Sequence, residues 1–278
     1  GRPVWFDRAA YEADLIVPIN RVKLHTDFVG PIQSGLCKML VIGLGNHKGC
    51  SAVHEEAPEV FADAIEETAR LILQKAPVGF GIAILENAYD KTYAVEAVPA
   101  EHLVEREKEL VQIAKGNMPY IMLDEADVIV CGAIGKDISG AGFDPNILGR
   151  SSVLKQFVLH IPRYQRLVLC DVTPASHGNG IGVGLFDVIT KKVAEQLDLE
   201  SMYANAIACN CLGDASVPCT VDDEETAIRV ALKCCRNIDR DHPRIIRIQN
   251  TLHLGEIEVS EALLDAVRAD SRMSLIEN

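Results

Sequence analysis

Three side chains in the stretch 20–54, NRVKLHTDFVGPIQSGLCKMLVIGLGNHKGCSAVH, have the chemistry to act together: His25, Lys38 and His54. Histidine moves protons near neutral pH or binds a transition metal through a neutral ring nitrogen. A lysine that loses water on burial becomes a nucleophile or a covalent anchor. His25 stands thirteen residues before Lys38, and His54 sixteen after it. Glycines mark the turns between them, and the apolar run MLVIGLG follows the lysine. Taken singly, each has a plainer identity: a hydrogen-bonded loop histidine, a surface lysine, and a histidine beside a helix start.

Positioning such groups requires short buried elements joined by turns. ADLIVP (13–18) reads as a buried strand, and the polar, glycine-marked 20–35 as a loop. Over 38–44 periodicity does not separate a strand from a packed helical turn. Pro58 opens a helix in which Phe61, Ile65, Ala69 and Ile72 recur at helical spacing, ending near Lys75. GFGIAILEN and TYAVEAV form a strand pair across AYDK. A helix over about 100–115 is expected to close on Gly116. The linker candidate KGNMP divides the chain into 1–117, expected to hold the cofactor and catalytic residues, and 118–278, an α/β domain.

Strands and helices alternate beyond the linker. DVIVCGA, RLVLCDV and RIIRIQN are strands, and FDVITKKVAEQL is expected to be a helix. VDDEETAIRVALKCC is a second helix with Asp222 as N-cap, and Ser260 caps a last helix, EALLDAVRA. The fold class is α/β: two α/β domains with largely parallel sheets and helices packed on them.

Composition narrows the partners. A formal charge of -13 argues against binding to nucleic acid or anionic membranes, and no apolar run reaches the roughly 20 residues a spanning helix needs. Nine cysteines, an odd number set mostly in apolar surroundings, fit reduced thiols and a cytoplasmic protein. The spacing of Cys209, Cys211, Cys219, Cys234 and Cys235 does not reproduce a zinc knuckle; core or helix-face thiols suit it better than an iron–sulfur site. The acidic run 222–225 reads as a solvated helix start. HGNGIGVG, 177–184, stands ahead of the expected helix and offers backbone amides to a phosphate or carboxylate, with His177 facing the site; close packing of a loop on a sheet explains its glycines better.

The stretch NRVKLHTDFVGPIQSGLCKMLVIGLG resembles the signature of the nickel-pincer-dependent lactate racemase family and its wider group of 2-hydroxyacid isomerases, in a divergent branch. The resemblance implies that Lys38 tethers a pincer cofactor, a pyridinium-3,5-bisthiocarboxylic acid mononucleotide, with Gly35 beside it. His54 is then the protein's ligand to nickel, in preference to His47, and His25 is the general base on the substrate hydroxyl. Soft, square-planar coordination suits nickel. In GKDISGAGFDPNILGR, 135–150, Lys136 and Asp137 match a catalytic and substrate-binding Lys-Asp pair. A later Gln and Lys of the family have no counterpart, and Arg150 can take over as a carboxylate clamp.

The expectation is therefore a racemase or epimerase acting on a small 2-hydroxy acid by hydride transfer to and from the nickel-pincer nucleotide. The resemblance also implies a preceding region with an Asp-Thr-Arg type motif and a second catalytic histidine. The chain is thus expected to be truncated or to depend on a partner chain, and a homo-oligomer is allowed. The alternative is a module that keeps the fold and binds a nucleotide, anion or metal without turnover. A metal-dependent hydrolase is disfavoured by the lack of an HExxH motif.

Overall fold

The computed structural model describes residues 3–276. The chain divides into two compact units, Gly1–Met118 and Pro119–Asn278, with the break inside KGNMP.

The first unit holds a three-stranded sheet ordered β1 (Ile19–Arg21), β2 (Phe80–Glu86), β3 (Thr92–Pro99). β1 pairs parallel with β2, and the expected β2–β3 hairpin is antiparallel. The strand expected at ADLIVP is displaced. Ile16 makes one bridge to Val78, Leu15 is 54% exposed, and regular pairing begins only at Ile19. Pro18 explains the late start, since it has no N–H to donate.

The helices of this unit are α1 (Arg8–Tyr11), α2 (Leu36–Lys38), α3 (Asn46–His54), α4 (Phe61–Lys75) and α5 (Leu103–Asn117). Alternation in β2 turns Gly81, Ala83 and Leu85 inward, where Leu36 and Leu103 crowd the space beside Gly81. The opposite face carries Ile82 and Ile84 in register with Ala97 and Val95; Val95 is 62% exposed. Gly116 does not cap α5. It lies inside the last turn without a left-handed conformation, and the helix ends against Met118.

The second unit is a six-stranded sheet ordered β7 (Cys219–Val221), β6 (Val188–Thr190), β5 (Arg166–Leu169), β4 (Val128–Cys131), β8 (Ile245–Ile248), β9 (Ile257–Val259). All neighbours are parallel except β8–β9. Every residue of β4 is buried, as a parallel strand covered on both faces requires. Its helices are α6 (Pro145–Leu148), α7 (Lys191–Gln196), α8 (Leu199–Ala208), α9 (Glu224–Lys233) and α10 (Leu264–Ala269). Ala227 and Ala231 of α9 pack on Val128, Val130, Val168 and Val188, each valine contributing about 1.5–3 kcal/mol on burial.

Three local expectations change here. FDVITKKVAEQL is not one helix: Val188–Thr190 is strand β6, and Thr190 then accepts from Val193 N–H to start α7. β-branched Val-Ile-Thr favours that outcome. The N-cap of α9 is Asp223, which accepts from Thr226 N–H at 2.8 Å, not Asp222. Ser260 occupies an N-cap position, but its hydroxyl accepts from Ile245 N–H and donates to the Pro243 carbonyl, fastening the last segment to β8. Among the described residues no helix is long and apolar enough to cross a membrane.

Candidate active site

The 20–35 loop is closed by its own backbone. Lys23 and Ser34 exchange two hydrogen bonds, each N–H reaching the other's carbonyl. Inside the closure Gln33 is buried; its Oε1 accepts from the His25 N–H at 2.8 Å and its Nε2 donates to the Gly30 carbonyl at 3.1 Å. Gln33 therefore holds the backbone of His25, a role no sequence spacing announced.

The His25 ring is fixed as well. Asp27 N–H donates to His25 Nδ1 at 3.0 Å. An amide N–H can only donate, so Nδ1 carries the lone pair and the neutral imidazole has its proton on Nε2. Burial, then the charges of Lys38, His54 and Lys23, hold the His25 pKa well below its ordinary value. These couplings bring His25, Lys38 and His54 into one electrostatic neighbourhood.

Aromatic stacking ties the ends of that group together. The His25 ring lies 4.3 Å from Phe28, Phe28 lies 4.8 Å from Phe61, and Phe61 meets His54 edge-on at 5.1 Å. Phe61 opens α4, so the helix that begins after Pro58 supplies the wall between the two histidines.

Lys38 closes α2 and is followed by a π-helical turn, Met39–Gly43, which resolves the strand-or-helix ambiguity in favour of helix. Wide turns of this kind are frequent at functional sites. Leu44 N–H returns to the Met39 carbonyl at 2.9 Å, and Leu44 O accepts from Asp7 N–H, pinning the turn's exit. His54 then ends its own nine-residue helix, α3. Its Nδ1 lies 2.8 Å from the Cys50 carbonyl. A carbonyl only accepts, so this bond places the proton on Nδ1 and the lone pair on Nε2. Metal-ligating histidines commonly use that arrangement. His47, on the same helix, is exposed.

Gly35 has a steric explanation independent of any cofactor. A Cβ there would stand 2.6 Å from the Glu107 carboxylate, which is fully buried and accepts from Cys37 N–H at 2.9 Å.

The remaining expected residues lie in the second unit, at the carboxyl ends of β4 and β5. Lys136 donates its backbone N–H to Ser176 Oγ at 2.8 Å and its ammonium to the Gly140 carbonyl at 2.6 Å. Asp137 accepts from the Thr173 hydroxyl, which also meets Ser176 Oγ at 2.9 Å. Arg150 is engaged elsewhere: its guanidinium pairs with Asp187 at 2.7 Å, donates to the Leu185 carbonyl and stacks on Tyr164. It acts as an internal brace, not as a clamp standing open to a carboxylate.

His177 is exposed and left-handed, and the loop after it leads into a 3-10 turn and β6, so the long helix whose N-terminus was to bind an anion is missing. Its glycines serve close packing. A Cβ on Gly142 would run into the Ile181 carbonyl and one on Gly182 into that of Ala141, which locks the 135–150 and 177–184 loops together. Both glycines have positive φ. A cleft of about 450 Å³ in this unit, lined by Met122, Asp124, Leu263, Asp270 and Met273 among others, contains none of the expected site residues.

Among the described residues no three or more His, Cys, Asp or Glu side chains gather as a metal site, and none of the nine cysteines forms a disulfide. Cys219 and Cys234 are exposed while Cys211 and Cys235 are buried, so the cysteine-rich segment is not a cluster. The chain matches no protein-family model and no curated protein.

Proposed function

We propose that the chain carries catalytic residues of a racemase-type isomerase that inverts a small 2-hydroxy acid with a nickel-pincer mononucleotide. The observation that supports this most is the half-buried group of His25, Lys38 and His54, each held by a specified backbone contact or turn. His54 fits the metal's requirement: the pincer nucleotide brings its own soft donors, and one imidazole with a lone pair on Nε2 supplies the protein's share. Lys38 would tether the nucleotide. When bound, the group supplies a hydride acceptor for the substrate α-carbon.

His25 would handle the hydroxyl proton. With its proton on Nε2 and its lone pair on Nδ1, the neutral ring donates a hydrogen bond to the substrate oxygen, and it returns a proton to the keto oxygen only after becoming the imidazolium by taking one up. Taking that proton in the forward step needs the other tautomer, which the Asp27 hydrogen bond opposes. A cytoplasmic setting accords with the reduced thiols.

A second reading, a fold that binds a nucleotide or anion without turnover, draws on one observation: Arg150, the candidate carboxylate clamp, is committed to Asp187. Intact-mass spectrometry after co-expression with the cofactor-making enzymes separates the two. A covalent adduct on Lys38 with stoichiometric nickel supports the isomerase. Unmodified Lys38 and metal-free protein overturn it.

A further inference from the structure

Glu107 lies on the apolar face of α5 among Leu103, Val104, Leu110 and Val111, with 0% of its surface exposed. Glutamate is almost never fully buried without a partner of opposite charge. Here Oε2 accepts from Cys37 N–H at 2.9 Å, and Oε1 has no hydrogen-bond partner. An unsatisfied buried oxygen destabilises the fold, so its retention calls for a reason.

The reason lies at the start of α2. The first N–H groups of a helix have no partner within it, and a side chain at the N-cap ordinarily accepts from one of them. The N-cap of α2 is Gly35, which has no side chain to offer. Glu107 supplies that oxygen from 70 residues away. The glycine and the carboxylate are sterically matched, because a Cβ on Gly35 would stand 2.6 Å from the carboxyl group. Asn20 Nδ2 holds the Gly35 carbonyl from β1 at 2.9 Å. Lys38 is the third residue of α2, and the π-helical turn after it is pinned at Leu44.

We infer that Glu107 is a positioning residue for Lys38: its buried carboxylate fixes the start of the turn that carries the lysine, and with it the place and reactivity of the amine. This rests on the reading that Lys38 is a reactive lysine. Glu107 touches no substrate in this role. It acts through Cys37 N–H and the short helix.

The test measures Lys38 directly. The native chain is acetylated with a succinimidyl ester across a range of pH, and labelling at each lysine is mapped by peptide mass spectrometry. Lys91, exposed beside the β2–β3 turn, is the internal reference. Glu107→Ala is expected to change the Lys38-to-Lys91 labelling ratio about tenfold, the size that loss of one buried hydrogen bond implies, and to move its pH midpoint. Glu107→Gln keeps an oxygen for Cys37 N–H and should stay within about twofold of the parent.

Gly35→Ala, which drives a methyl group into the carboxylate, should reproduce the Glu107→Ala effect. The double variant should be no worse than Glu107→Ala alone, because the two residues act as one unit. A lowered melting temperature with an unchanged Lys38 ratio and midpoint overturns the inference and leaves Glu107 a scaffold residue. Simple addition of the two single effects overturns it too. Absence of Lys38 labelling in the native chain overturns it together with the lysine-anchor reading. A responsive Lys38 that never acquires an adduct on co-expression sinks only the cofactor reading.

Discussion

Asp27 N–H and His25 Nδ1 are joined at 3.0 Å, and this one bond decides which nitrogen of the neutral imidazole carries the proton. A ring so held meets a substrate oxygen as a donor.

The bond makes His25 a pH-dependent contributor to stability. Burial and the neighbouring charges of Lys38, His54 and Lys23 lower its folded pKa well below 6.5. The unfolded chain takes up the proton first as pH falls, so the contribution is complete above 6.5 and lost below it. The urea midpoint should fall between pH 7 and 5, and His25→Asn should flatten that part of the curve. Nitrogen NMR at pH 7 should find Nδ1 without a proton; an Nδ1–H resonance would contradict the assignment.

Glu107 works in the opposite sense. Burial pushes its carboxyl up to about 7 from an ordinary 4.5. Its protonated form suits the fold, so its contribution is complete below 4.5 and lost as pH rises through about 7. Glu107→Gln should remove that loss and gain stability relative to the parent at pH 8. Equal pH slopes for parent and variant would refute it. Between 4.5 and 6.5 the two residues oppose one another, so each must be read by difference against its own variant.

His54→Ala should abolish nickel retention while leaving any adduct on Lys38 in place. Loss of a sole protein ligand exceeds the roughly 10- to 100-fold that loss of a supporting hydrogen bond costs in metal affinity. Elemental analysis together with intact mass gives both quantities in one sample. Nickel retained at the parental ratio would assign the ligand elsewhere.

Arg150→Ala should act first on stability. The guanidinium bridges Asp187, the Leu185 carbonyl and the Tyr164 ring, and Asp187 in turn accepts from Leu167 N–H on β5. A loss of about 1–3 kcal/mol follows from breaking partly buried, charge-assisted bonds. Arg150→Lys should recover only part of it, lacking the fork. A variant as stable as the parent, but with weakened binding of a hydroxy acid, would restore the clamp reading.

Periodicity and punctuation made much of the fold legible in the sequence. The β2–β3 pair, α4, the linker and strands β4, β5 and β8 all lie where apolar pattern and Gly or Pro punctuation put them. What escaped depended on distant partners. β6 and the β7 and β9 edges are three residues each, too short for a periodic signal. Leu199–Ala208 is a helix started by Asp198, whose side chain accepts from Glu200 and Ser201 N–H groups, a cap placed too soon after α7 to stand out. At the candidate site the residue types and intervals of His25, Lys38 and His54 were readable. Gln33 and Glu107 were not, because each matters through a backbone atom that chain order does not reveal.

The π-helical turn at Met39–Gly43 changes the meaning of the sixteen residues between Lys38 and His54. The interval is an assembly of parts: a wide turn, a glycine corner and a nine-residue helix. Deleting one residue from the wide turn would hardly shorten it, yet would swing everything downstream by roughly 100° about the local axis. The segment behaves as a crank whose phase, not its reach, determines where the histidine points. An engineer seeking to turn His54 without moving Lys38 would do so by a one-residue change in this turn.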